Sequence, residues 1–522
     1  MRRRSLVLTN ANVITLNQTL PRAQAIAIGN GQILEVGSTE EVAKHVTDET
    51  EVIDLQGKTV VPGFVDSHIH MLGFGAYPQQ LELRNARSIK ELQNELGKHA
   101  KRTPHNGWIL GRGWDHERLS EHRYPTRWDI DAAVKEQPVF LIRICGHIGV
   151  VNSKALALAG LDEAEGNVRD LIGWDADTGK PNGVVKEEAL DLVWRVTPKP
   201  SLEEVEGACI NACERVIEAG LTCVHWLAAS ADELRAVQEL SQNRRLPIRV
   251  YLGIPVEMLQ HLVGLGLITG FGNERAKLGF VKFFADGSLG GHTAALNAPY
   301  SDKPETMGVM LYTQRRLNRL ILEVHKAGLQ VAVHAIGDRA LTMVLDAYKR
   351  AFKRIPRRDH RNRIEHCSVL NPRLIKYMQR LGITASVQPH FIVSDFWVSH
   401  RVGAHRARWV YPFRSLLDAG IVVVAGSDWP VEPVKPLTGM WAAVTRKDSH
   451  GENVTAEEAL KMYTLNAAYA SFDEDRKGSI ETGKFADLTV LSHDPLTISP
   501  GKIKDVCVEM VIVDGEKVYR KP

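Results

Sequence analysis

The chain has 522 residues, 44% of them hydrophobic and 24% charged, and a formal net charge of +3. That length exceeds one simple core and implies two or three structural units. So small a net charge gives no electrostatic case for a nucleic-acid or membrane-surface partner, and no run approaches the roughly 18 apolar residues of a membrane-spanning helix.

In chain order, the start "MRRRSLVLTNANVITL" has a basic tip, but Thr9, Asn10 and Asn12 interrupt the apolar run, so it reads as a strand rather than a secretory leader. From residue 5 to about 60 short alternating strands follow, with "AIAIGNGQILEVG" a hairpin turning at Asn30-Gly31. Next, "VPGFVDSHIH" is a buried strand ending in His68 and His70. Residues i and i+2 of a strand face one side, so both imidazoles point to one place, as a metal-ligand pair or by accident of composition.

About 150 residues then separate this strand from the next of its kind, far beyond a normal loop. They contain "PVFLIRICGHIGVVNSKAL", and residues 71–205 read as an inserted subdomain expected to cover the mouth of the main domain. Strand-length apolar runs then alternate with amphipathic helices at 221–226, 248–254, 278–287, 329–337, 363–367, 384–389 and 421–430. With the strand before His68 they make eight, which predicts an α/β fold built on a (β/α)8 TIM barrel over 61–474. The last fifty residues return to short strands, with "VEMVIVDGEKVYR" turning at Asp514-Gly515. Residues 1–60 and 475–522 together predict one small β-sandwich built from both termini. The six cysteines form no CxxC pair, which argues against a zinc knuckle or dithiol motif and fits a reduced, cytoplasmic compartment.

In a (β/α)8 barrel the active site lies at the C-terminal ends of the strands. Metal-binding side chains recur there: His68 and His70, Lys282 in "VKFFADG", His334 in "VAVHAIGD", His366 in "RIEHC" and Asp428 in "AGSDWP". Each has an ordinary explanation alone. A core histidine can be satisfied by neighbours, and an aspartate can cap a helix. As a set, imidazoles and a carboxylate suit zinc or a similar divalent ion.

These motifs, with "GHIGVVNSKAL", "VHAIGDRA", "YPFRSLLDAGIVVVAGSDWPVEP" and "GSIETGKFADLTVL", resemble the amidohydrolase superfamily essentially end to end. The branch is the YtcJ-like one, amidohydrolase family 3, which includes N-substituted formamide deformylase. The resemblance implies a barrel with a β-sandwich and metal-dependent hydrolysis of a C–N bond in a small amide-like substrate. It implies two divalent ions, Zn2+ by expectation with Mn2+, Fe2+ or Co2+ as alternatives. His68, His70 and Asp428 would hold one, His334 and His366 the other, and Lys282, carboxylated to an anionic carbamate, would bridge them. Asp428 would also carry the proton between water and leaving group.

Four further residues are candidate substrate contacts. His147 matches a family position usually written Asp-Gly-His, with Cys145 in place of the aspartate. His292 stands where the family usually has an arginine, exchanging a fixed charge for a titratable ring. Trp114 and Trp429 are candidate pocket walls. The competing readings are a mononuclear deaminase of an aminated heterocycle, against which Lys282 argues, and a non-catalytic scaffold, against which the full ligand set argues. No nucleic-acid or membrane partner is expected, and a homodimer is compatible with the sequence.

Overall fold

Valine-, isoleucine- and phenylalanine-rich runs buried on both faces make the central sheet of this computed structural model, as a sheet covered on both sides requires. The structure describes residues 5–72, 80–105, 107–163, 166–228, 230–446 and 451–522. The strands are β1 (Phe64–Ile69), β2 (Leu221–Leu227), β3 (Arg249–Pro255), β4 (Ala276–Phe284), β5 (Gln330–Ala335), β6 (Arg363–His366), β7 (Thr384–Val387) and β8 (Val423–Ala425). Each pairs in parallel with its successor. Amphipathic helices run between them. Gln314–Lys326, before β5, buries Leu317, Ile321 and Val324 on one stripe, and the Thr313 side chain caps its first turn.

β8 is short, and the ring closes through the segment that follows it. Ile69 bridges Trp429 in parallel. Asp428 N donates to His68 O at 2.7 Å, and His70 N donates to Trp429 O at 2.8 Å. Closure of the barrel therefore sets Asp428 beside the histidine pair.

The termini build two sheets. One orders Gln32–Gly37, Ala25–Gly29, Leu6–Thr9 and Glu51–Asp54. The other runs Glu516–Arg520, Val508–Val513, Leu488–Leu491, Thr59–Pro62, Asn12–Ile14 and Arg22–Ala23. They share a core that includes Leu8, Ile26, Val60, Leu488 and Ile512. Both expected hairpin turns form, with left-handed backbone at Asn30-Gly31 and Asp514-Gly515. A buried ion pair ties the sandwich to the barrel: Arg249 of β3 donates from Nε to Asp487 at 2.6 Å and from an Nη to Asp514 at 3.2 Å.

Residues Phe74–Ala208 form a separate compact unit. Its sheet orders Ile172–Trp174, Pro181–Lys186, Ile148–Val151, Val139–Arg143, Ile109–Trp114 and Leu81–Glu82, with an apolar core on each face. Trp114 is fully buried in one of these cores and donates its indole N–H to Leu141 O at 3.0 Å. This corrects its reading as a pocket wall: an indole with its one donor satisfied in a core does not line a pocket.

At the barrel seam Gly426 has no room for a side chain. A Cβ there would lie 2.5 Å from His68 N and 2.6 Å from Asp66 Oδ1. Gly426→Ala is expected to cost about 1–3 kcal/mol of stability, the usual penalty of overpacking, read as a lowered urea midpoint. An unchanged midpoint would contradict this close approach.

Candidate metal centre

The centre starts from strand alternation. Asp66 and His68 share a face of β1, His70 follows the strand's last residue, and all three are buried. The Asp66 carboxylate accepts from His68 N at 3.0 Å and from Ser427 N at 3.0 Å, joining β1 to the segment after β8. Burial pushes its pKa up to about 6, against the pull of these donors. Across the seam, His68 Nε2 and His70 Nε2 lie 3.3 and 3.4 Å from the same oxygen, Asp428 Oδ1. Ligand atoms of the three residues all fall within 4.8 Å of one another.

His68 is held from behind. Its Nδ1 lies 2.5 Å from Glu365 Oε2, and Glu365 is fully buried. A carboxylate only accepts, so Nδ1 carries the proton and the Nε2 lone pair faces His70 and Asp428. Among the described residues Nε2 has no hydrogen-bond partner. Arg363 compensates Glu365. Its guanidinium donates to Glu365 Oε1 at 2.5 Å, Ser67 O at 2.5 Å and Ser386 Oγ at 2.8 Å, and lies 2.9 Å from His225 Nδ1. Burial works against the Glu365 charge, but Arg363 and His68 outweigh it and hold its pKa well below the usual range.

β6 supplies two site residues that simple alternation would set apart. Arg363 and Glu365, two apart, share the face that meets His68. His366 belongs by alternation to the opposite face, but its φ of 74° breaks the pattern, and its ring centroid lies 4.9 Å from that of His68 and 4.4 Å from that of His334. Asp428 is also left-handed, at φ 54°. Such backbone at non-glycine residues costs of order 1–3 kcal/mol and clusters at functional sites. Gln388 Oε1 takes His366 Nδ1 at 2.7 Å. His334 Nε2 lies 3.0 Å from Gly287 O. The neighbouring Asp286 carboxylate is buried and accepts from the backbone N–H groups of Ala295, Ile336 and Gly337, fixing the loops after β4 and β5.

Burial lowers the pKa values of His70 and His366 to about 3, so both are neutral near pH 7, the form that binds a metal. Burial opposes the charge on Asp428, yet His68 above all holds its pKa well below the carboxylate range. Lys282 of β4 is buried, and among the described residues its Nζ has no hydrogen-bond partner. It lies 4.2 Å from the centre of the Phe284 ring, and burial lowers its pKa to about 8. The donor set fits a divalent ion: the imidazoles of His68 and His70 converge on an ionised carboxylate, and the buried His68 Nε2 has no hydrogen-bond partner among the described residues.

The candidate substrate contacts have their own partners. Trp429 is half-buried beside Asp428. The Nε2 of His292 accepts from an Nη of Arg401 at 2.8 Å, and Arg401 also binds Asp302 at 2.7 Å. Burial, then the Arg401 charge, lowers the His292 pKa to about 4. An arginine thus stands behind the histidine that replaces the expected arginine. In the inserted unit His147 Nδ1 lies 2.9 Å from Glu187 Oε2, and Glu187 sits at φ 46°. Sequence reading missed Glu365, Arg363, Gln388, Asp286 and Glu187. It also missed Asp66, which carried a signal, two residues before His68 on the same face.

The family model that matches is the amidohydrolase family, over residues 51–519. The chain is 34% identical to the putative amidohydrolase YtcJ of Bacillus subtilis, over 98% of each chain. It is 29% identical to N-substituted formamide deformylase of Arthrobacter pascens, over 99% of each. Among solved structures, an uncharacterized metal-dependent hydrolase from Pyrococcus furiosus superimposes with a TM-score of 0.77 at 33% identity, covering 94% of this chain and all of that one. The chain belongs to the amidohydrolase family.

Proposed function

We propose that the chain hydrolyses the C–N bond of a small amide-like substrate. His68, His70 and Asp428 hold one divalent ion, Zn2+ by expectation. His334 and His366 would hold a second, with Lys282, once carboxylated, as a further anionic ligand. The observation that carries this reading is the convergence of His68 Nε2 and His70 Nε2 on Asp428 Oδ1. The deformylase among the relatives supports N-substituted formamides as the first substrates to try.

The chemistry such an ion would supply, when bound, is polarisation of the scissile carbonyl and a fall in the pKa of a water from about 15.7 to about 7. The chain's residues do the rest. Glu365 fixes the His68 tautomer, so that Nε2 stays a ligand. Asp428, ionised at neutral pH, takes the proton of the attacking water on a carboxylate oxygen and delivers it to the leaving nitrogen. Lys282, at a pKa of about 8, is neutral in about a tenth of molecules at pH 7, against about one in three thousand for an ordinary lysine. The neutral Nζ adds to the carbon of CO2 and releases a proton, leaving an anionic carbamate that offsets two dications. His147, His292 and Trp429 are the proposed substrate contacts.

Chelation is expected to abolish hydrolysis of N-formyl, N-acyl or cyclic amides, and added Zn2+ or Mn2+ to restore it. Full activity in verified metal-free protein would contradict the reading. Asp428→Asn keeps the size but removes the proton carrier, and should lower kcat by about 10²–10⁴-fold.

Lys282→Ala should lose one or both ions, counted by elemental analysis, with partial recovery in short carboxylic acids. Lys282→Arg should not recover, because a guanidinium stays charged. One ion per chain beside an unmodified Lys282 would favour the mononuclear deaminase instead. His147→Ala should change the ranking of substrates at constant metal content; an equal loss for all substrates, with metal falling too, would assign it to the metal centre.

A further inference from the structure

Beyond the ligands, the C-terminal face of the barrel carries a histidine–carboxylate pair that the mechanism above does not use. His390 follows β7 and begins the turn into the helix Phe391–Ser394. Glu432 lies four residues after Asp428. Their side chains meet through His390 Nδ1 and Glu432 Oε2 in a short hydrogen bond. The carboxylate is buried, at 5% exposure, while the imidazole is 23% exposed. Two residues near it in the chain, Gln388 and Phe391, address the metal centre. Gln388 holds His366 Nδ1 at 2.7 Å, and the Phe391 ring lies parallel to the His366 ring, 6.3 Å away. Among the described residues no hydrogen bond reaches His390 Nε2.

A carboxylate only accepts, so Nδ1 carries a proton toward Glu432, and in the singly protonated ring Nε2 is left as an acceptor. Such an atom takes an N–H or O–H donor, and an amide substrate supplies the N–H. We infer that His390, oriented by Glu432, is a substrate-binding residue that accepts a hydrogen bond from the N–H of the scissile amide. The chain then favours amides that retain an N–H over N,N-disubstituted ones. This rests on the amide-hydrolysis reading above, and Glu432 acts as the positioning residue.

The test uses the full zinc-loaded chain with N-butylformamide and N-butyl-N-methylformamide, and measures kcat and KM separately. The wild type should prefer the N–H substrate. His390→Ala should raise KM for that substrate by roughly 3- to 10-fold, the scale of one hydrogen bond, and shift the disubstituted amide by less than about twofold at that scale. Glu432→Gln keeps the size and fold of the loop, but its amide can donate to Nδ1 and move the ring proton to Nε2. It should show the same selective loss, as a wrong tautomer does in other histidine–carboxylate pairs. Equal losses for both amides in the two variants, with unchanged metal content, would overturn the inference and reduce the pair to a tie between two loops. A wild type that hydrolyses both amides without preference would overturn it while sparing amide hydrolysis. Inactivity of the zinc-loaded wild type on every amide would remove both readings together.

Discussion

The centre depends on one buried line of charge, from Arg363 through Glu365 and His68 to Asp428. All four are buried, and buried charges are tolerated only when paired and hydrogen-bonded. Arg363 meets that condition by reaching four strands: its own β6, Ser67 of β1, His225 of β2 and Ser386 of β7. The guanidinium that neutralises Glu365 thus also pins the inside of the barrel. Removing one partner of such a pair typically costs about 3–5 kcal/mol, so fold stability and the orientation of His68 cannot be varied independently. The left-handed backbone at His366 and Asp428 belongs to the same economy: barrel closure and the hydrogen bonds of Gln388 and Ser427 hold conformations that the residues alone would avoid.

Much of this was legible in the sequence because it follows from short-range periodicity. A strand repeats every two residues, so His68 and His70 had to share a face, and both Nε2 atoms meet one oxygen. Strand-length apolar runs bounded by turn signals located the eight barrel strands, although β8 proved shorter than its run and leaves Asp428 beyond its end. Pairing of the termini was legible from matching hairpins.

What was not legible came from broken periodicity or from distance. Glu365 precedes His366, and alternation sends neighbours to opposite faces; only a φ of 74° brings both to the centre. Glu365, Gln388 and Glu432 gain meaning from partners 22 to 297 residues away, as the His366–Gln388 and His68–Glu365 contacts illustrate. Trp114 was misjudged because an aromatic residue beside charged ones looks the same in sequence whether it walls a pocket or fills a core. The arginine behind His292 was hidden too, since Arg401 lies 109 residues downstream.

The central claim is that His68, His70 and Asp428 hold a metal ion. A crystal structure of the zinc-loaded chain, with anomalous data collected on both sides of the zinc edge, tests it most directly. The account expects an anomalous peak bounded by His68 Nε2, His70 Nε2 and the Asp428 carboxylate, with the His68 ring still bonded to Glu365. An active, zinc-loaded protein with no peak there, or with its zinc bound only at other residues, would contradict it.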